Sequence, residues 1–568
     1  MRRDRLTANA ALLVSLGLLV AVLATYARSL TNAPVWDDGP LVVDNPFLGS
    51  PSGLLRLWST DLFSTSAQGD ASSYYRPFPM FTFWVNVAIG GRSPASLRLG
   101  NVLIHAVNAM LLALLARKAY GLGPRSAGLV ALVFALAPVC SEPVLYVAAR
   151  FDLLVVTFAL LALLASRIEG TRGKVLCLAA VAAGLVCKES FIGWLPLLLL
   201  DDVFVRRIPV RRLVGKYVAI AAVGGAYLAL RRVIGIPSLD VVTHTGVRAL
   251  AESFLFLVGS FLRELVWPTR LDPFRPYSIP SVGYLVASAM VLAGLVAAPI
   301  VTSWRRHDSV AARVAIFGVA WFVLATLPSA VVGPTLAIVG DRYAYLPLVG
   351  VFIAAMGVVA EIAIHAPRAS RVAGVLASVI AVAFGISTAL HGRDWRDAGA
   401  LAESSLASDP ENPYALYLLG SDAALKGQLD KADDLLGRSM ANNPGSWRTW
   451  NAVCYLRLHQ DRLVEAERSC KQAIQLLPLN PRAWLNLASV YVTAQRWSEA
   501  LTAADHTLAL KPDSAEAHYL AGVSAANLGL IPVALAHVQA GLVAEPTHAR
   551  LLSFKADLAR YQLTHPSP

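Results

Sequence analysis

Residues 10–46, AALLVSLGLLVAVLATYARSLTNAPVWDDGPLVVDNP, decide how the rest of the chain is read. The run Ala10–Leu30 carries one charge, Arg28, near its end and has the roughly 20 residues that cross a bilayer. The MRRDR ahead of it is the charged flank of either a signal peptide or an uncleaved span. The run is long for a signal peptide and no small-residue cleavage pair precedes Trp36, so it is read as a retained first span. Asp37 and Asp38 follow directly on Trp36, which puts two adjacent carboxylates just outside the membrane face where the first helix surfaces. A reaction on a lipid-borne substrate needs an acid or base at that height. Asp-Asp-Gly-Pro is also ordinary turn composition, and position alone leaves the two readings even.

Composition favours the membrane. Of 568 residues, 56% are hydrophobic and 15% charged, and residues 1–392 hold nearly all the long apolar runs. The net charge of +12 does not point to nucleic acid, because the basic residues collect in short loops, as cytoplasmic loops do. Arg2, Arg3 and Arg5 place the N-terminus in the cytoplasm. Spans are expected at 10–30, 99–116, 124–138, 152–166, 175–187, 190–203, 217–234, 284–302, 310–328, 343–363 and 372–390. Arg117/Lys118/Arg125, Arg167/Arg172/Lys174, Arg206 to Lys216, Arg305/Arg306/Arg313 and Arg368/Arg371 mark the cytoplasmic connections. The segment 249–267 is apolar enough to cross, but a crossing there would turn the later basic loops outward. It also carries Glu252, Arg263 and Glu264, so it is read as re-entrant or interfacial. Eleven crossings then put the C-terminal residues on the same side as Asp37 and Asp38.

Those C-terminal residues, 393–568, form a second domain with a strict period. Pro410, Pro444, Pro478, Pro512 and Pro546 recur at 34 residues, as do Ala398, Ala432, Ala466, Ala500 and Ala534. Gly420, Cys454, Ala488 and Gly522 keep the same spacing at the helix-crossing position. This is the tetratricopeptide repeat, two antiparallel helices per unit. Four full repeats are expected over 413–546, with a half-repeat helix at 395–409 and a capping helix at 548–562. Stacked repeats offer a groove for a peptide or protein, or serve oligomerisation alone. The five cysteines form no metal or disulfide framework. Cys454 and Cys470 lie on the two helices of one repeat, either as a disulfide or as two buried thiols.

The membrane half resembles a known family. WDDGPLVVDNP, YYRPFPMFTFWVNVAIGG (74–91), LRLGNVLIHAVNAMLLALL (97–115), FALAPVCSEPVLYVAARFDLL (134–154), LVCKESFIGWLPLLLL (185–200) and DRYAYLPLVG (341–350) follow the order found in the transmembrane and tetratricopeptide-repeat-containing O-mannosyltransferases. The resemblance covers nearly the whole chain, repeats included. It implies an all-α, GT-C type glycosyltransferase that takes a sugar from a polyprenyl-phosphate carrier on the non-cytoplasmic side. Mannose would be the sugar and a protein Ser/Thr hydroxyl the acceptor, recruited by the repeats. One departure matters: the family commonly has histidines around the third-span proline, whereas this chain has Ala137, Val139 and Cys140.

The residues allow the same chemistry. An acceptor hydroxyl needs a carboxylate to take its proton as it attacks an oxocarbenium-like centre. Asp37 or Asp38 is the candidate, with one of the two facing the site because adjacent side chains diverge; Glu142 is a further catalytic candidate. An anionic leaving phosphate calls for cations, and Arg342, Lys188 and Arg150 fit, with Tyr343 beside Arg342. Interfacial snorkelling is the plainer reading of each cation. Asp38, Glu142 and Asp152 have the oxygen chemistry for a divalent cation, magnesium or manganese, unless Glu142 and Asp152 simply pair with Arg150. His105 and Asn108 either line the cavity or join helices. The stretches 52–63 and 77–85, with Trp58, Phe81 and Trp84, read as helices on the outer leaflet. Two other functions remain open, transfer to a glycan or lipid and a non-catalytic scaffold with protein-binding repeats. The Ala/Leu/Arg/Val-rich composition points to a bacterial inner membrane, with the repeats extracytoplasmic.

Overall fold

A computed structural model describes residues 2–64, 72–236, 246–268, 271–276, 280–305, 309–336 and 338–564; Arg306, in one of the basic loops, lies outside them. The chain forms two compact units, Met1–Ser404 and Ser405–Pro568. The first is built from helices α1 (Arg2–Tyr26), α2 (Pro51–Ser59), α3 (Pro77–Gly90), α4 (Pro94–Lys118), α5 (Pro124–Leu136), α6 (Glu142–Leu145), α7 (Arg150–Ala165), α8 (Gly170–Leu185), α9 (Phe191–Leu200), α10 (Val210–Val233), α11 (Val247–Val266), α12 (Val282–Arg305), α13 (Val310–Leu336), α14 (Tyr345–His365) and α15 (Pro367–His391). A two-residue antiparallel pairing, β1 (Arg275–Pro276) with β2 (Ile338–Val339), is its one exception among the described residues.

Among the described residues eight helices are long and apolar enough to cross a membrane, or nine if the bent pair α5 and Pro138–Leu145 counts as one span. Proline explains the 67° bend: Pro138 has no N–H to donate and drives Ala137 out of helical geometry, so α5 ends at Leu136. The chain then advances through short turns, every residue of 137–157 buried, until Arg150 opens α7.

The expected spans 175–187 and 190–203 are α8 and α9, 16 and 10 residues long, about 24 and 15 Å by helical rise. Two ion pairs fix their height: Arg167 meets Asp201 at 2.8 Å, and Lys188, at the tip between α8 and α9, meets Asp152 at 2.5 Å. The hairpin therefore runs alongside α7 between the levels of Arg167 and Asp152. With the bent pair taken as one span, counting this hairpin as two crossings or none leaves the total odd either way. Segment 249–267 folds as α11, one face buried through Ser253, Phe256, Leu257, Ser260, Phe261 and Glu264 and the other open.

The second unit holds four helix pairs, Pro413–Leu425 with Leu429–Asn442, Trp447–His459 with Leu463–Leu476, Pro481–Thr493 with Trp497–Leu510, and Ala515–Asn527 with Ile531–Ala544, closed by Ala549–Thr564. The 34-residue registers have separate physical causes. Ala432, Ala466, Ala500 and Ala534 are fully buried where helices cross, and a Cβ at Gly420 would come within 2.8 Å of Leu436 Cγ. Asn412, Ser446, Asn480 and Ser514 cap the first helix of each pair through their side chains. Gly427, Asp461, Gln495 and Gly529 make the left-handed turn between the helices, φ 73°, 58°, 57° and 76°. Cys454 and Cys470 form a disulfide within the second pair, Cα–Cα 5.2 Å.

Candidate active site

The structure separates the two adjacent aspartates. Asp38 is fully buried: its Oδ1 accepts from Ala148 N at 2.7 Å and its Oδ2 from Val35 N at 3.2 Å. Burial pushes its carboxyl from the ordinary 3.8 up to about 7, against those donors and the nearby Arg98, which pull it down. Asp38 thus ties the first loop to the stretch ahead of α7 and does not face outward. Arg98, on α4, reinforces the tie by donating to Leu145 O at 2.9 Å and to the carbonyls of Asn32 and Ala33. Asp37 is only partly buried and accepts from Tyr146 Oη at 3.0 Å. Directly ahead of the two aspartates, Trp36 takes a left-handed φ of 48° and its ring meets Tyr146 (5.2 Å), Phe274 (4.4 Å) and Trp395 (5.9 Å) edge-on.

Arg342 sits against the same aromatic wall. Its guanidinium lies 5.8 Å from the Trp36 ring, 5.7 Å from Tyr146 and 4.8 Å from Tyr343. Glu142 holds it from behind, pairing with the guanidinium and accepting Arg342 N at 3.1 Å. Glu142 is 2% exposed against 20% for Arg342, so the carboxylate named as a catalytic candidate lies buried behind the cation it pairs with. Gly340 makes room for the pair, since a Cβ there would lie 2.6 Å from Glu142 Oε1. Tyr343 also stands 5.2 Å from the Lys188 ammonium, which pairs with Asp152.

Sequence reasoning missed three members of this cluster. Tyr146 lies inside YVAARFD, where nothing local sets it apart from its neighbours. Arg76 pairs with Glu189 at 3.0 Å and lies over the rings of Tyr74 (4.5 Å) and Phe151 (5.1 Å), near enough for the Asp152 charge to act on it. Burial alone would raise the Glu189 carboxyl, but the Arg76 charge and the Tyr75 N–H hold it below its ordinary range. The signal was the matching pair of short motifs, YYRP and CKES, 114 residues apart across the Tyr75–Glu189 hydrogen bond.

Other expected members lie elsewhere. Arg150 is 1% exposed, with its guanidinium spent on Asn101 Oδ1 (2.7 Å), Asn86 Oδ1 (2.9 Å) and Leu97 O (2.8 Å) and stacked 3.9 Å from Phe83. It packs helices together. The metal set does not assemble: Asp38 is held by backbone N–H groups, Glu142 by Arg342 and Asp152 by Lys188. Among the described residues no three His, Cys, Asp or Glu side chains are gathered closely enough to hold an ion. His105 and Asn108 join helices, bonding Tyr345 Oη at 2.7 and 3.2 Å.

Fold and site define a class, an all-helical polytopic membrane protein carrying a tetratricopeptide-repeat array, with one acid–cation–aromatic cluster at its helix ends. The tetratricopeptide repeat family model matches residues 457–523. Protein O-mannosyl-transferase TMTC4 of Mus musculus is 25% identical over 71% of this chain, and the human TMTC4 24% identical over a similar length. Mouse TMTC3 is 32% identical over 33% of this chain. The chain spans 63% of the length of mouse TMTC4 and 21% of mouse TMTC3. Over 71% of its length the chain is thus similar to proteins named O-mannosyl-transferases. Among solved structures, YrrB, a TPR protein with an unusual peptide-binding site, covers 28% of this chain and 81% of its own at 19% identity, TM-score 0.25.

Proposed function

We propose that this protein is a GT-C type glycosyltransferase that moves a monosaccharide, mannose, from a polyprenyl-phosphate carrier to a protein Ser/Thr hydroxyl. One observation carries the reading: a partly exposed carboxylate, Asp37, is held by Tyr146 beside the one wall that also seats the Arg342 guanidinium. The acceptor oxygen attacks the anomeric carbon as the bond from that carbon to the phosphate oxygen breaks. The acceptor proton passes to Asp37, and the bonding pair leaves with the polyprenyl phosphate, whose added charge Arg342 and Lys188 offset. The names of the relatives support the acceptor and sugar.

The site faces away from the cytoplasm in this reading. Basic loops on alternate connections support it, and so does the odd number of crossings obtained when the bent pair is taken as one span. The Cys454–Cys470 disulfide belongs in an oxidising compartment, a bacterial periplasm or its equivalent, and supports the same side for the repeats, which would recruit the acceptor. Intact-mass analysis of exported proteins from cells with and without the gene tests the proposal. A hexose present only when the gene is present is the expected result, and identical masses would overturn it.

A further inference from the structure

The segment that follows α11 grips both halves of the cluster. Residues 271–275 are all buried. Phe274 is fully buried against the Trp36 ring, one residue from Asp37. Arg275 pairs with Asp341 at 2.9 Å, one residue from Arg342, while its backbone pairs with Val339 in the short β1–β2 ladder. From the other side, Glu264 on α11 holds Arg275 at 2.5 Å. The open end of α11 carries Val266 and Trp267, 77% and 71% exposed, the residue types that seat a helix in a membrane interface.

We propose that Phe274 and Arg275 are positioning residues. They set the spacing between the proton-accepting carboxylate and the phosphate-binding guanidinium, and they link that spacing to α11 at the membrane surface. Neither touches the reacting atoms. Each governs a different partner, Phe274 the Asp37 loop and Arg275 the Arg342 loop, so their loss divides by kinetic parameter. The inference rests on the glycosyltransferase reading for its kinetic arm and on the structure alone for its exchange arm.

The test uses full-length protein in lipid vesicles with polyprenyl-phosphate-mannose as donor. Arg275→Gln is expected to raise the donor KM about tenfold, with Arg275→Lys recovering part of that loss. Phe274→Ala is expected to lower kcat by up to about 100-fold with donor KM nearly unchanged, the scale of a misplacement near 1 Å. Hydrogen exchange is followed in parallel. It should quicken at 338–344 in Arg275→Gln and at 33–38 in Phe274→Ala, leaving α4 and α7 protected. Equal effects of both variants on both parameters, or exchange that quickens throughout or in neither segment, would overturn the inference. Should the wild type transfer no sugar, the glycosyltransferase reading has failed, and the exchange pattern still decides the positioning role.

Discussion

At the scale of single residues, Asp37 and Asp38 make the sharpest contrast, because neighbours of identical chemistry have opposite environments. Asp37→Asn is expected to lower sugar transfer by at least about 100-fold while leaving the melting temperature in detergent unchanged, as loss of a general base would. Asp38→Asn removes an acceptor from a buried backbone N–H and is expected to cost about 1–3 kcal/mol of stability. Measuring both quantities on both variants checks the assignment; equal melting temperatures for the two would undo it. Asp38 also predicts a pH dependence. Its carboxyl titrates near 7 in the folded chain against an ordinary 3.8, so the folded state holds an extra proton between those values. Stability is therefore expected to fall as pH rises through that window, with the penalty complete above it. Thermal unfolding from acid to neutral pH should show a flatter profile for Asp38→Asn, which has no proton to lose. Sequence leads to the expectation that one aspartate faces the site but does not say which, since the two backbone donors that claim Asp38 lie 3 and 110 residues away.

At the scale of elements, the repeats were legible because each of their determinants is local. Small residues at crossings, prolines at boundaries and side-chain caps act within one helix pair, so a period of 34 residues exposes them together. The left-handed turns add a prediction. Gly427 and Gly529 occupy that position without strain, whereas Asp461 and Gln495 hold the same φ with a Cβ. Gln495→Gly is therefore expected to stabilise the array by up to about 1 kcal/mol, read as an upward shift of the denaturation midpoint. Asp461→Gly should act in the same direction. In the membrane half, α8 and α9 show the limit of apolar run length as a guide. Their runs are short, and what fixes their height is a pair of ion contacts, Arg167–Asp201 and Lys188–Asp152, with partners 34 and 36 residues apart.

At the scale of the whole molecule, the expected topology is open to direct chemistry. The cysteines outside the disulfide, Cys140, Cys177 and Cys187, are buried, so a cysteine introduced at the exposed Val543 should label over a low background. Val543→Cys is expected to react with a membrane-impermeant maleimide in cells whose outer membrane alone has been opened; reaction only after lysis would place the repeats in the cytoplasm. The sequence by itself determined the class of this protein: apolar runs, basic loops and a 34-residue period report local solvent preference and helix pairing, which survive without tertiary context. Only the tertiary structure decided who stands with whom in the cluster. It turned Arg150 into a buried packing residue, made Glu142 the anchor of Arg342, and brought Tyr146, Arg76 and Glu189 into the site. The physical reason is that a buried charge takes its role from the partner that desolvation forces on it, and those partners lie up to 200 residues away along the chain.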